Sequence, residues 1–328
     1  MKKLYLVLLV LLIAFSAIPC YCAEVGNLPD KNGFELSFKS DSSEREVKMK
    51  DSAVIYNNSY YYGDYYNTHY DITAEIDCFD AVEKTSACYF KPGFTFLNGS
   101  FQLYGKLGSV SGEQSWYNVE MVEVYDYTSD YSTSHSTSTY MPDSVYNPQW
   151  NGKFGSYYGV GMKYAYEIKE GLKIGVDLQY SVSRFKKAAV ILKEESSSSY
   201  ESSYDSGGYS NSNVGKITSY KILEPQIALA VSKNLDDFNV YGGATLSFRK
   251  GKVKGNNKYS HYEWYKDSYG ESEETFETFT DFSFETKNSR SLGLFLGGDY
   301  NVSKNFALNA EFAVGNEQRI TVGGLCKF

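Results

Sequence analysis

A period-two apolar pattern, recurring segment after segment and ending on an aromatic residue, is what most constrains the fold of this chain. In its last stretch Ile320, Val322, Gly324, Cys326 and Phe328 fall on one face of a strand. Arg319, Thr321, Gly323 and Lys327 fall on the other, with Leu325 the exception. The same alternation sets Leu172, Ile174, Val176, Leu178, Tyr180 and Val182 against Lys173, Gly175, Asp177, Gln179, Ser181 and Ser183. Tyr158, Val160, Met162, Tyr164 and Tyr166 oppose Gly159, Gly161, Lys163 and Ala165 in the preceding segment. Further apolar faces run through Ile227, Leu229 and Val231, through Phe238, Val240, Leu246 and Phe248, and through Leu292, Leu294 and Leu296. Strict alternation over such lengths is the mark of strands with one face buried in an apolar phase.

The connections are of two kinds. Residues 98–100, 169–171, 234–237 and 302–305 are tight turns rich in Asn, Gly and Asp. Between them lie long polar stretches, roughly 113–153, 187–216 and 251–286, dominated by Ser, Tyr and Gly. Strands are predicted near 70–78, 86–97, 100–112, 154–168, 172–186, 217–232, 237–250, 288–302, 304–316 and 318–328. These make ten. Accepting 34–38 and 46–55 as a further hairpin makes twelve, and the segment 24–69 is open between these two readings.

The N-terminus reads as a secretory signal peptide over residues 1–23, with Lys2 and Lys3 ahead of an apolar run and small residues near Ala23. That run is short for a spanning helix of roughly 20 residues. Those two lysines leave the rest of the chain with 40 acids against 30 bases, a net charge of −10, which argues against nucleic acid as a partner. The mean hydropathy of −0.41 looks soluble, but a barrel exposes only alternate residues to lipid and reads this way too.

A soluble sandwich would also alternate. Three features favour a membrane barrel instead. The apolar faces are large and aromatic on every strand. The polar faces carry Gly, Ser and Gln with isolated charges. Aromatic residues recur near strand ends, as expected where headgroups meet hydrocarbon. The hairpin from Tyr157 to Tyr180, the run Phe101-Gln-Leu-Tyr-Gly-Lys-Leu-Gly108, Asn239 to Ser247 and the closing strand together resemble the bacterial porin-like outer-membrane β-barrel superfamily. The resemblance covers about 86–328 without the long connections. It implies an all-β, transmembrane, antiparallel up-and-down barrel over 70–328, with short periplasmic turns and long outer loops, in the outer membrane of a Gram-negative-type bacterium. It implies outer-membrane lipid as a partner, and barrel-assembly machinery acting through the last strand, with Phe328 as its assembly signal. It says little about activity, because that superfamily shares architecture more than chemistry.

On this reading Lys163, Glu167, Lys173, Asp177, Glu224, Asp299, Glu311 and Arg319 point into the lumen, with Glu75, Asp77, Lys91, Lys106 and Lys327. The signs nearly balance, and about ten strands enclose a narrow space, so the lumen is expected to be plugged or at most a slender pore. Cys78 and Cys88 flank a predicted connection and are a candidate disulfide across neighbouring strands. Their other reading is two thiols at lipid-facing positions. His69, His135 and His261 have no companion at metal-ligand spacing, and no nucleophile elbow or nucleotide loop is present. No cofactor or enzyme activity is expected. A rim hydrolase would have to use His261 near Glu263, or His135 near Asp130. The Tyr- and Ser-rich connections have the composition of binding loops or of a polar coat. They suggest surface interaction, with a narrow porin as the alternative.

Overall fold

The computed structural model describes residues 32–328 apart from 52, 63–67, 129–132, 141–148, 187–189, 202–205, 267–270 and 316. The predicted signal peptide, residues 1–23, lies outside the described residues. Fifteen strands follow in chain order: β1 (Gly33–Met49), β2 (Ala53–Tyr62), β3 (Thr68–Phe96), β4 (Phe101–Thr128), β5 (Thr133–Tyr140), β6 (Gln149–Lys169), β7 (Leu172–Lys186), β8 (Val190–Glu201), β9 (Ser206–Leu235), β10 (Phe238–Ser247), β11 (Lys250–Lys266), β12 (Glu271–Asn288), β13 (Leu292–Ser303), β14 (Phe306–Val314) and β15 (Gln318–Lys327). No helix is present among the described residues.

Ten of these strands close on themselves in the order β1, β3, β4, β6, β7, β9, β10, β13, β14, β15 and back to β1. All the pairs are antiparallel. The seam joins the two chain ends: Glu35–Glu44 pair with Gln318–Lys327, and Phe328 N donates to Phe34 O at 2.9 Å. The expected tight turns 98–100, 169–171, 234–237 and 302–305 all fall at this same end, which is the periplasmic end. At the 169–171 turn Gly171 has φ +69°, a left-handed conformation that favours glycine.

The apolar faces point outward. Leu107, Leu229, Leu296 and Phe328 are 69%, 63%, 64% and 74% exposed, while Lys39 and Lys163 are 0% and 1% exposed. This inverts the arrangement of a water-soluble protein. From Phe238 to Phe248 the outward side is apolar or glycine, about the length a tilted strand needs to cross the hydrocarbon. Rings gather at the lower rim: Phe96 against Phe101 at 4.9 Å, Phe238 against Tyr300 at 4.8 Å and Phe34 against Phe328 at 6.0 Å. A closed antiparallel barrel with an apolar outer belt and a polar interior is an outer-membrane barrel.

Two sequence expectations change. The tenth strand is β1, not 70–78. The predicted strands 70–78 and 86–97 are one strand, β3, because the intervening Phe79, Ala81 and Glu83 face inward while Asp80, Val82 and Lys84 face out, continuing the alternation where a connection was expected. Cys78 and Cys88 therefore share that strand. At about 3.3 Å per residue their backbones stand roughly 33 Å apart, far beyond the ~7 Å limit for a bridge. The disulfide between neighbouring strands is not available to them, and Cys88 Sγ instead lies 2.9 Å from Ser40 Oγ.

The long polar connections are also not open loops. They continue as β-structure: β4 with β5, β8 with the start of β9, and β11 with β12. Over most of their length both faces are polar, so no alternation betrays them. The β14–β15 turn is short on the outer side, with Gly315 at φ +110°. Above it β1 leaves β15 and pairs Val47–Met49 with Thr286–Asn288 of β12. The wall there consists of eight strands, β1, β3, β4, β6, β7, β9, β11 and β12. The barrel narrows from ten strands to eight as it leaves the membrane.

The closure predicts a specific cross-link. Leu36 is the register partner of Cys326, and such partners lie about 4.5–5.5 Å apart between Cα atoms, within disulfide range. On mild oxidation Leu36→Cys is expected to bridge to Cys326, detected by peptide mapping. Both thiols remaining open to alkylation would contradict the seam.

Candidate functional site

The lumen is organised in four layers. Nearest the periplasm is an open vestibule of about 610 Å³, lined by Glu167, Lys173, Lys233, Asp299, Leu325 and Lys327 among others. Leu325 breaks the polar alternation of β15 because, with Ala307, it lies at this mouth.

Above it sits a hydrogen-bonded polar layer. Lys39 Nζ donates to Asn309 Oδ1 at 3.0 Å. Asn309 Nδ2 donates to Asp299 Oδ1 at 2.6 Å and to Tyr241 OH at 2.7 Å. On the other wall Tyr104 OH donates to Asp177 Oδ1 at 2.7 Å, with Lys163 Nζ 3.9 Å from Asp177 Oδ2. Lys91 lies 4.1 Å above the Tyr104 ring. Gly161 makes room for that ring: a Cβ there would come within 2.3 Å of it.

The third layer is ionic. Arg45 joins Glu224 at 2.9 Å and Glu317. Arg319 joins Glu317 at 2.8 Å and lies 3.9 Å from Glu311. Glu224 also accepts from Ser247 at 2.8 Å. Just above, Arg249, Glu83 and Tyr220 form a buried triad, with Arg249 also donating to Thr286 at 3.4 Å. The cavity among these groups is about 50 Å³, room for a few waters.

The fourth layer is apolar. Phe79 stacks on Trp116 at 4.3 Å, and Phe284 meets both edge-on at 5.4 and 5.5 Å. Val47, Met49, Ala81, Ile217, Ile222, Val253, Phe282 and Phe185 belong to the same cluster. It lies in the eight-strand part of the barrel, where the bore is just wide enough for side chains to fill. Offset and edge-to-face rings at these separations pack favourably.

The structure brings Lys163, Asp177, Glu224, Asp299, Glu311 and Arg319 into the lumen, together with Lys91 and Lys106. Glu167, Lys173 and Lys327 stand at the vestibule, where Glu167 also accepts from Gly171 N at 3.0 Å. Glu75 and Asp77 lie on β3 beyond the aromatic layer, where Asp77 is exposed. Sequence reasoning missed Lys39, Arg45, Glu83, Arg249 and Glu317. The first two alternate with Phe34, Leu36 and Phe38, and Arg249 continues the inward row Tyr241, Thr245, Ser247, so the period-two signal was there to find them. Glu83 and Glu317 sat in stretches read as connections.

The histidines lie on the outer β-structure, His69 on β3, His135 on β5 and His261 on β11. His135 Nδ1 lies 2.5 Å from Asp126 Oδ1, and Thr137 Oγ1 is 3.4 Å from His135 Nε2, on the exposed β4–β5 hairpin. Asp130 and the side chains of Glu263 and His69 lie outside the described residues. No cluster of metal-ligating residues occurs among the described residues. At the outer rim Lys50 donates to Asp51 at 3.2 Å and Glu285 at 3.4 Å. These bonds hold its ammonium above the usual lysine range.

No protein-family model and no curated protein matches the chain. Among solved structures it is similar to the outer membrane protease OmpT from Escherichia coli, at 11% identity over 93% of this chain and 99% of that one, TM-score 0.35. It is similar to the β domain of the Bordetella autotransporter BrkA, at 12% identity over 91% and 100%, TM-score 0.31. It is similar to the toluene transporter TbuX from Ralstonia pickettii, at 8% identity over 94% and 97%, TM-score 0.30. The barrel is established by strand pairing, not by these likenesses.

Breaking a buried ion pair leaves an uncompensated charge and costs about 3–5 kcal/mol. Arg249→Met is expected to lose about that much, read as a lower urea midpoint for the heat-modifiable gel shift. Arg249→Met with Glu83→Leu is expected to recover most of it. Equal losses in the single and double variants would contradict the pairing.

Proposed function

We propose that the protein is a non-conducting outer-membrane barrel that displays Tyr- and Ser-rich hairpins at the cell surface, in a structural or surface-interaction role. The carrying observation is the filled lumen: an aromatic layer over an ionic layer, with about 50 Å³ between the charged groups. A pore for small solutes needs a continuous wet path, and the ionic and aromatic layers are joined across the bore, by Arg45 to Glu224, by Arg249 to Glu83 and by the ring cluster. In this role the charges of the lumen pair with one another and do not guide a substrate.

The contact surface is then the outer β-structure. β5 reads Thr-Ser-His-Ser-Thr-Ser-Thr-Tyr, and β8 carries Ser196–Ser199 and Tyr200. Tyr offers rigid amphipathic area and Ser adaptable hydrogen bonding, the chemistry of binding loops. Both are edge strands on one side, β5 beside β4 and β8 beside β9. An extracellular ligand is met through these hairpins. Lipid surrounds the belt, and assembly machinery engages the last strand. The outward-facing, 74% exposed Phe328 supports that role for the C-terminus.

The expected result in planar bilayers is silence from a correctly folded, heat-modifiable sample. Steady ohmic conductance from the same sample would overturn this reading in favour of the narrow porin. Removing 187–216, which deletes β8 together with the arm of β9 paired with it and rejoins the wall beside the Lys186–Ser219 register pair, is expected to preserve the gel shift and abolish any binding of whole cells to glycan or matrix surfaces. Unchanged binding would remove β8 from the contact surface.

A further inference from the structure

The outer wall just above the apolar belt is charged unevenly around the barrel. On the β1–β3 side the charges neutralise one another: Lys84 lies 3.5 Å from Glu44, and Lys48 3.2 Å from Asp80. On the β7–β9–β11–β12 side the outward positions are Arg184, Lys221, Lys250, Lys252, Lys254 and Lys287. The one acid set among them, Glu285 opposite Lys252, is already bonded to Lys50. Among the described residues no ion pair reaches these five lysines.

The register sharpens the point. Arg184 stands directly opposite Lys221, Lys221 opposite Lys252, and Lys250 opposite Lys287. Like charges facing each other across antiparallel strands destabilise the sheet. These strands are paired on both sides, so the cations are not there to guard an edge.

Position completes the argument. Lys250 is the next outward residue above Phe248, Lys221 the next above Leu223, and Arg184 the next above Val182. The cations occupy the first level beyond the hydrocarbon, where headgroups lie. Arg184 is further held 5.6 Å over the Tyr158 ring. We propose that this cation ladder binds the phosphorylated headgroup of an outer-leaflet lipid, with Leu223, Leu246 and Phe248 beneath it receiving the acyl chains. The phosphates relieve the repulsion between strands, and the apolar belt below selects a lipid over a free anion. The result is a barrel with one lipid-binding side, independent of what its hairpins contact.

The test uses the full barrel in neutral maltoside micelles, titrated with bisphosphorylated lipid A and read by native mass spectrometry and by the temperature of the gel shift. The wild type is expected to bind, to gain thermal stability, and to lose affinity as salt rises. Lys221→Gln with Lys250→Gln and Lys252→Gln is expected to bind at least about tenfold more weakly, while Lys48→Gln with Lys84→Gln binds as the wild type does. In lipid-free neutral micelles the triple variant is expected to be at least as stable as the wild type, since it loses repulsion and no ion pair. Unchanged lipid binding by the triple variant overturns the proposal, as does lower stability of that variant without lipid. The wild type alone is also decisive: no response to the lipid, or an equal response to inorganic phosphate, sinks the lipid assignment.

Discussion

The structure depends on the absence of water in the hydrocarbon layer. Every backbone N–H and C=O at that depth needs a protein partner, so a sheet must close without an edge. The seam between β1 and β15 meets this demand, and it explains why the chain uses its first described strand and its last to finish the barrel. Closure then divides each strand into a lipid face and a lumen face. Lys39, Lys91 and Lys163 become some of the most buried side chains, and Leu107 and Phe328 are among the most exposed.

Once the polar faces are enclosed they have to be satisfied. Charges taken out of water are strongly destabilising unless paired and hydrogen-bonded, and the lumen arranges Arg45, Glu224, Glu317, Arg319 and Glu311 accordingly. The change from ten strands to eight alters what the lumen holds. In the wider part, polar groups bridge the bore. In the narrower part, beyond the short β14–β15 turn, rings from β3, β4 and β12 fill it. The outward surface changes at the same level, from apolar belt to charged rim, so the narrowing and the membrane boundary coincide.

Most of the barrel was legible in the sequence because a strand with lipid on one side has to alternate. Leu172 to Val182 and Phe306 to Val314 show this without ambiguity, and the four tight turns follow from their Asn, Gly and Asp residues. What was illegible has physical causes. Tyr-, Ser- and Thr-rich staves above the membrane meet water outside and polar groups inside, so β4, β8 and β11 lose their alternation and read as loops. β1 carries Ser40 and Ser42 on its outward face, which weakened its signal and hid the true tenth strand. The count of ten came through because that omission was offset by the division of β3 into two. The lumen charges from Lys163 to Arg319 were legible as inward positions, but their partners were not: Glu83 and Glu317 come from segments remote in sequence.

The central claim is that alternate residues of each strand face lipid and a filled interior. It is tested most directly by spin labels placed singly at Ile227, Leu229 and Val231, and at Ala228 and Ala230, on β9 of the barrel in bilayers. The account predicts that labels at the first three collide with lipid-soluble oxygen and not with a water-soluble nickel chelate, whereas labels at the two alanines collide with neither. Nickel access at the alanines would mean an open aqueous bore, and oxygen access without alternation would mean that β9 does not line a barrel in lipid.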